Sequence, residues 1–287
     1  MDLLTFESDI LNKYYGFCVL KYSQDPLIKE YLNYYLNLPD KTSETNFILG
    51  KLYDCGLGTE KNYEKAEFYY LKAADKNHTK AQVNLGYLYE DTDFKNAEFW
   101  YLQAAEQNDT DAQNHLGSFY EDEDDFQKAE FWYLKAAEQG NLFAQNNLGL
   151  LYEDNDNYQK AEFWYLKAAE QNDTDAQTNL GSLYEDKNDY QKAEFWYLKA
   201  AEQNNTSAQN HLGYFYEKVK KDYEKAELWY LKAAEQGHLA SQHQLELFYK
   251  NIKNDCEKAD YWYKQRESII RTEINSWSNT SSNTQSP

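Results

Sequence analysis

Residues 129–139 read Ala-Glu-Phe-Trp-Tyr-Leu-Lys-Ala-Ala-Glu-Gln, and the same eleven residues return at 161–171 and 193–203. Near copies start at Ala97, with Gln103 in place of Lys, and at Ala226, with Leu228 in place of Phe; a looser one starts at Ala66. A second marker is the glycine of a Leu-Gly pair, at Gly50, Gly86, Gly117, Gly149, Gly181 and Gly213, in steps of 36, 31, 32, 32 and 32 residues. A fixed period of this size marks an array of repeats, each one supersecondary unit. Here the unit reads as a pair of helices.

The third clear unit shows why. Thr110 and Gln113 have the spacing of a capping box, which predicts a helix start; Thr79/Gln82, Thr174/Gln177 and Thr206/Gln209 repeat it. Ala112, Leu116 and Tyr120 then follow as one apolar stripe at i, i+4 and i+8. An acidic turn from Glu121 leads to Asp125, a good N-cap for a second helix. Asn62, Asp93, Asn157, Asp189, Asp222 and Asp255 hold the equivalent place. Ala129, Tyr133 and Ala136 form the stripe of that second helix, which is predicted to end at Gly140. Asn77, Asn108, Asn172, Asn204 and Gly237 match Gly140, and Gly and Asn are the residues that tolerate a left-handed helix end. Gly117 and Ala136 let helices approach closely, while Tyr120, Trp132 and Tyr133 fill the wider gaps. One such pair cannot bury both faces, so pairs must stack. The expected fold class is all-α: an α-α superhelix, or solenoid, of stacked helix-turn-helix repeats.

The array divides into a degenerate N-terminal capping repeat (1–44), six repeats (45–80, 81–111, 112–143, 144–175, 176–207 and 208–240), a degenerate C-terminal capping repeat (241–274) and a tail (275–287). In the first cap Gly16 lies 34 residues before Gly50, and Asp25-Pro26 offers a helix N-cap followed by Pro. In the last, Glu246 stands where the glycine would be. The Ser-, Asn- and Thr-rich tail has the composition of a disordered segment.

Composition narrows the function. The chain of 287 residues has a formal net charge of −20 and, among its aromatics, 28 Tyr; its mean hydropathy is −0.96. That charge argues against phosphate-rich nucleic acid and anionic membrane surfaces, and favours basic or polar partners. Three cysteines, Cys18, Cys55 and Cys256, form no Cys-x-x-Cys pair and no even set, which points to a reducing compartment. Met1–Asp9 carries early acids and no basic leader, so no signal peptide is expected, nor is any membrane span. The expected location is the cytoplasm, or a host cell's interior if the chain comes from an intracellular microbe or large virus.

The order Ala-x-x-x-Leu-Gly-x-x-Tyr, then Lys-Ala-x-x-Trp-Tyr-x-x-Ala-Ala, resembles the Sel-one-like repeat (SLR), a relative of the tetratricopeptide repeat, over residues 45–266. The resemblance implies a helical solenoid that binds other proteins, with first helices lining a concave surface. A Gly-x-Gly loop usual in such repeats occurs once, at Gly56-Leu57-Gly58. Later units have short acidic turns instead, and the paired cysteines of one branch of the family are absent.

No stretch carries catalytic or metal chemistry. The five histidines, His78, His115, His211, His238 and His243, make no i, i+4 pair. The acidic turns lack the glycine and closing glutamate of a calcium loop. Asn-x-Thr sites at Asn77, Asn108, Asn172 and Asn204 fall at inter-repeat turns, where turn chemistry explains them. Catalytic residues, cofactor sites and metal ligands are therefore not expected.

Attention moves to the first helices. Counted from each Leu-Gly glycine, offsets −6, −3, +1 and +4 share one side. The −3 set includes Asn114, Asn146, Thr178 and Asn210; the +1 set includes Tyr87, Ser118, Leu150, Ser182 and Tyr214; the +4 set includes Glu90, Glu121, Glu153, Glu185 and Glu217. This reads as a groove with an amide-rich floor, varied +1 residues and an acidic ridge. The expected function is a non-enzymatic, monomeric scaffold or adaptor that binds a basic or polar protein or peptide there. A hydrolase built on the repeat scaffold, or a structural spacer, remains the alternative.

Overall fold

A computed structural model describes residues 3–12, 21–22 and 25–282; among them regular structure is helical throughout and no strand occurs. The chain forms two compact units, Met1–Ala144 and Gln145–Pro287. In the first, α1 (Leu3–Asn12) and α2 (Ile28–Leu36) precede three helix pairs: α3 (Ser43–Cys55) with α4 (Tyr63–Ala74), α5 (Thr79–Tyr89) with α6 (Phe94–Glu106), and α7 (Thr110–Asp122) with α8 (Phe126–Glu138). Then come α9 (Leu142–Asp154) and α10 (Tyr158–Glu170), α11 (Thr174–Asp186) and α12 (Tyr190–Ala201), α13 (Thr206–Phe215) and α14 (Tyr223–Glu235), and α15 (Leu239–Phe248) with α16 (Cys256–Ser282). Within each unit a first helix packs on the second helix of its own repeat and on that of the repeat before, which is solenoid stacking. Gly16 and Cys18 lie outside the described residues. Helix α16 runs through Ser282, into the stretch whose composition points to disorder.

The second helices start as the sequence predicts. Side chains of Asn62, Asp93, Asp125, Asn157, Asp189 and Asp222 each accept from the backbone N–H three residues on. Their own backbone N–H groups also recur in one role: each donates to the carbonyl of the tyrosine that closes the first helix. Asp93 reaches Tyr89 (2.7 Å), Asp125 reaches Tyr120 (2.8 Å) and Asp222 reaches Tyr216 (2.9 Å), across turns of different length. The longer turns of the last two pairs are absorbed by π-helical turns at Tyr216–Lys220 and Tyr249–Lys253. Left-handed residues close the inter-repeat turns at Asn77, Asn108, Gly140, Asn172, Asn204 and Gly237, the places expected.

The capping-box reading needs correction. The cap of α7 is Asp109, not Thr110: its carboxylate accepts from Ala112 N–H at 2.9 Å. Asp173 and Asn205 do the same for Ala176 and Ala208. Gln113 does not reach back to the helix start; it is fully buried. Its Nε2 donates to the Ala105 carbonyl (3.1 Å), and its Oε1 accepts from Gln139 Nε2 (2.8 Å). Gln177 and Gln209 repeat this, donating to Ala169 and Ala201 and accepting from Gln203 and Gln236. Within each unit these amides tie a repeat to the one before it and close its own helix pair. They also explain the glutamine that ends the eleven-residue stretch.

The stripes read from the sequence are buried: Ala112, Leu116, Ala129, Tyr133 and Ala136 are at most 1% exposed. The glutamate of the stretch clamps the next repeat. Glu162, Glu194 and Glu227 accept from the hydroxyls of Tyr184 (2.7 Å), Tyr216 (2.6 Å) and Tyr249 (2.6 Å).

Candidate functional site

The predicted first-helix face falls into two sets, one per unit. In the second unit α9, α11 and α13 carry Asn146, Leu150, Glu153, Thr178, Ser182, Glu185, Asn210 and Tyr214, and Glu217 lies in the π-helical turn that follows α13. In the first, α5 and α7 carry Tyr87, Asn114, Ser118 and Glu121, with Glu90 at the end of α5.

The +4 carboxylates are not loose surface acids. Each accepts from the hydroxyl of its repeat's core tyrosine: Glu121 from Tyr133 (2.7 Å), Glu153 from Tyr165 (2.7 Å), Glu185 from Tyr197 (3.0 Å) and Glu217 from Tyr230 (3.0 Å). Burial, then the adjoining carboxylate, pushes the Tyr133 and Tyr165 hydroxyls far above the usual tyrosine range. Burial also lifts the Glu185 carboxyl, an effect the Tyr197 hydrogen bond partly offsets. Glu90 departs from the set. Its turn is one residue shorter, so it sits at the helix cap and is exposed. The buried Tyr101 hydroxyl is left without a hydrogen bond of ordinary length, and Glu90 reaches it through charge.

The −3 residues are half-buried or buried and partly engaged by neighbours. Asn146 Oδ1 accepts from Asn179 Nδ2 (2.9 Å), Asn210 Oδ1 accepts from the Ser241 hydroxyl (2.8 Å), and the Thr178 hydroxyl donates to the Thr174 carbonyl (2.7 Å). Solvent is met chiefly at +1. Tyr87, Leu150 and Tyr214 are 48%, 39% and 43% exposed, and Ser118 and Ser182 are half-buried. Tyr87 also hydrogen-bonds His115 Nε2, and His115 stacks on the Tyr101 ring.

The histidines have structural partners. Nδ1 of His78 and of His238 caps a helix, accepting from Ala81 and Ser241 N–H at 3.2 Å. His211 stacks on Tyr197, and His243 meets Glu246 and Arg266. Among the described residues no group of His, Cys, Asp and Glu is placed to hold a metal ion. No helix there is long and apolar enough to cross a membrane.

The Sel1 repeat model matches residues 43–78, 79–109, 110–141, 142–173, 174–205 and 206–238. The chain belongs to the Sel1 repeat family. Among solved structures it is similar to a Sel1 repeat protein from Oxalobacter formigenes, at 30% identity over 77% of this chain and 97% of that one, with a TM-score of 0.61. It is also similar to c5321, a protective antigen of uropathogenic Escherichia coli with an SLR fold, at 25% identity over 94% and 72% of the two chains, TM-score 0.44. Pseudomonas aeruginosa pilF shares the fold at 18% identity over 73% and 99%, TM-score 0.56. No curated protein matches.

One surface of these Sel1 repeats escaped the sequence reading. The phenylalanine of the eleven-residue stretch is exposed in every copy: Phe131 at 57%, Phe163 at 51% and Phe195 at 57%. The signal was present. Ala129, Tyr133 and Ala136 mark the buried side of α8, and at 100° per residue Phe131 lies some 200° round from Ala129, on the far side.

Proposed function

We propose that the chain is a non-enzymatic scaffold or adaptor that binds a protein or peptide along its first-helix face, with a preference for basic or polar partners. The observation that carries this reading is in the second unit. Leu150, Ser182 and Tyr214 differ from repeat to repeat, and Leu150 and Ser182 each sit one turn from a half-buried carboxylate held by a core tyrosine; Glu217, beside Tyr214, is buried and already paired with Lys218. A carboxylate fixed in this way loses little side-chain freedom when a partner's Lys or Arg arrives, which favours preorganised recognition. Membership of a repeat family whose extended surfaces suit partner binding supports it.

Affinity purification of partners over a series of salt concentrations tests the reading. Captured proteins should be basic or amide-rich, and rising salt should release them. Glu153→Gln with Glu185→Gln keeps an acceptor for each tyrosine and removes the charge, so it should weaken capture without unfolding the chain. Acidic partners, or capture that strengthens with salt, would sink it. Deleting residues 144–175 separates binder from spacer, because only a groove binder should lose its partner.

A further inference from the structure

The second helices present a surface of the opposite chemistry. In the second unit Phe163, Phe195 and Leu228 are 51%, 57% and 48% exposed at one position of three successive second helices. Phe163 and Phe195 stand edge-on to Trp164 and Trp196, with centroids 5.1 and 5.0 Å apart. One turn further, the ammonium groups of Lys167, Lys199 and Lys232 lie over the rings of Trp164, Trp196 and Trp229 at 4.5, 5.0 and 3.9 Å. Positions i and i+4 share a helix face, so each repeat displays one exposed apolar side chain beside one cation.

These three lysines have no carboxylate partner among the described residues, in a chain of net charge −20. Glu170, Glu202 and Glu235, three residues after them, form no ion pair with them, although Glu202 and Glu235 line a shallow hollow with Lys232. The acids on the neighbouring side are held by other lysines. Glu162 is held by Lys187 (2.6 Å), Glu194 by Lys220 (3.1 Å) and Glu227 by Lys253 (2.9 Å). Other lysines of the same helices do find acids: Lys192 pairs with Asp189 (3.2 Å) and Lys225 with Asp222 (3.6 Å). Lysines without a carboxylate thus coincide with the exposed apolar positions. In the first unit the corresponding row is broken by Gln103 beside Phe99.

We propose that the second-helix face of residues 158–235 docks a protein segment in which acidic side chains alternate with apolar ones. The apolar groups would cover Phe163, Phe195 and Leu228, and carboxylates would take the three ammonium groups, each already partly desolvated against an indole. One cation per repeat suits the discrete carboxylates of a peptide better than the continuous charge of a phosphate polymer or an anionic bilayer.

The test uses the full chain and a fluorescein-labelled peptide of alternating Glu and Leu or Phe. Its counterpart has Gln for every Glu, and vesicles of phosphatidylserine and phosphatidylcholine serve as the membrane probe. Anisotropy should show the acidic peptide binding at least tenfold tighter than the neutral one. Lys167→Gln, Lys199→Gln and Lys232→Gln together should weaken it at least tenfold, as should Phe163→Ser with Phe195→Ser. Lys192→Gln with Lys225→Gln should leave binding unchanged. Should the Phe variants fail to fold by circular dichroism, the lysine variants carry the test. Failure of the acidic peptide to bind, equal binding of the neutral peptide, or equal weakening by the paired-lysine control overturns the proposal. Vesicle binding lost in the lysine variants, with no peptide binding, overturns it in favour of a membrane surface. Glu153→Gln with Glu185→Gln should not affect this peptide, so the outcome is separate from that of the first-helix face.

Discussion

A β-carbon on Gly117 would lie 2.3 Å from Cδ1 of Tyr133. The same relation holds for Gly86 with Tyr101 and Gly181 with Tyr197, at 2.4 and 2.6 Å. The first helix of each repeat therefore approaches the second until a ring fills the space of a missing side chain. The last repeat has given up both halves of the pair. Glu246 replaces the glycine and accepts from Arg266 at 2.7 Å, and Tyr263, at the ring's position, is 44% exposed.

Gly117→Ala should destabilise the chain. The contact is with the base of a ring that is 1% exposed, so the ring cannot swing aside. Overpacking of this kind costs about 1–3 kcal/mol, against a helix-propensity gain of about 1 kcal/mol for Ala over Gly. The urea midpoint should fall, and Tyr133→Leu in the same chain should recover part of the loss because the two sites are coupled. An unchanged or raised midpoint in the single variant would refute the close approach.

The glutamine ladder predicts a loss and a gain. Gln113→Leu removes the donor to Ala105 and the acceptor of Gln139, two hydrogen bonds with a net worth of about 1–3 kcal/mol together, although Asn108 N–H still reaches the Ala105 carbonyl and Gln139 still donates to Lys135. At the C-terminal end Gln242 Oε1 is buried without a hydrogen-bond partner. Ile269 stands at the position that the ladder's second glutamine holds in other repeats, seven residues after the tryptophan. Ile269→Gln should supply the donor and raise the thermal midpoint. A midpoint lowered by that change would show that α16 does not keep the register.

The period, the helix pairs and the second-helix caps were legible in the sequence, because each repeats in register and local chemistry fixes it. Gly117 read as a place of close approach, but Tyr133 was assigned to the wider gaps, whereas its ring is what sits against that glycine. The first-helix caps were misread by one residue. Thr-x-x-Gln satisfies a local rule, but Gln113 belongs to a tertiary network whose partners, Ala105 and Gln139, are distant in sequence. Likewise the acidic ridge looked free, since nothing local ties Glu153 to Tyr165. The turns are more than solvated acid: Asp124, Asp156 and Asn188 supply left-handed residues there. The exposed Phe163 was passed over because an invariant aromatic reads as core.

Alkaline pH should unfold the chain through its tyrosines. Burial first, and a carboxylate neighbour next, raise Tyr120, Tyr133, Tyr165, Tyr184 and Tyr216 well above the ordinary value near 10. A raised folded value means that stability is intact below about pH 10 and declines above it, as the unfolded chain ionises while the fold keeps its protons. Each such tyrosine adds about 1.4 kcal/mol per pH unit of loss. Unfolding followed by circular dichroism should begin above pH 10, and tyrosinate absorbance should rise with it. Ionisation of most tyrosines in a chain that keeps its helicity would contradict this.

His115 predicts a second pH effect, at the acid side. Burial lowers it to about 4, outweighing the pull of Asp111 in the other direction. A lowered value means that its contribution is present above the unfolded value near 6.5 and is lost as pH falls towards 4, up to about 3 kcal/mol. Asn147 and Asn179 occupy the same place in other repeats, so His115→Asn is a substitution the fold already accommodates. His78 and His238 are lowered by burial too and titrate in both proteins, which makes the difference between wild type and variant the informative quantity. Chemical denaturation at pH 7, 6, 5 and 4.5 should show wild type losing stability faster than the variant below pH 6.5. Parallel curves would mean that His115 is protonated in the fold, and that its stacking on Tyr101 does not exclude the charge.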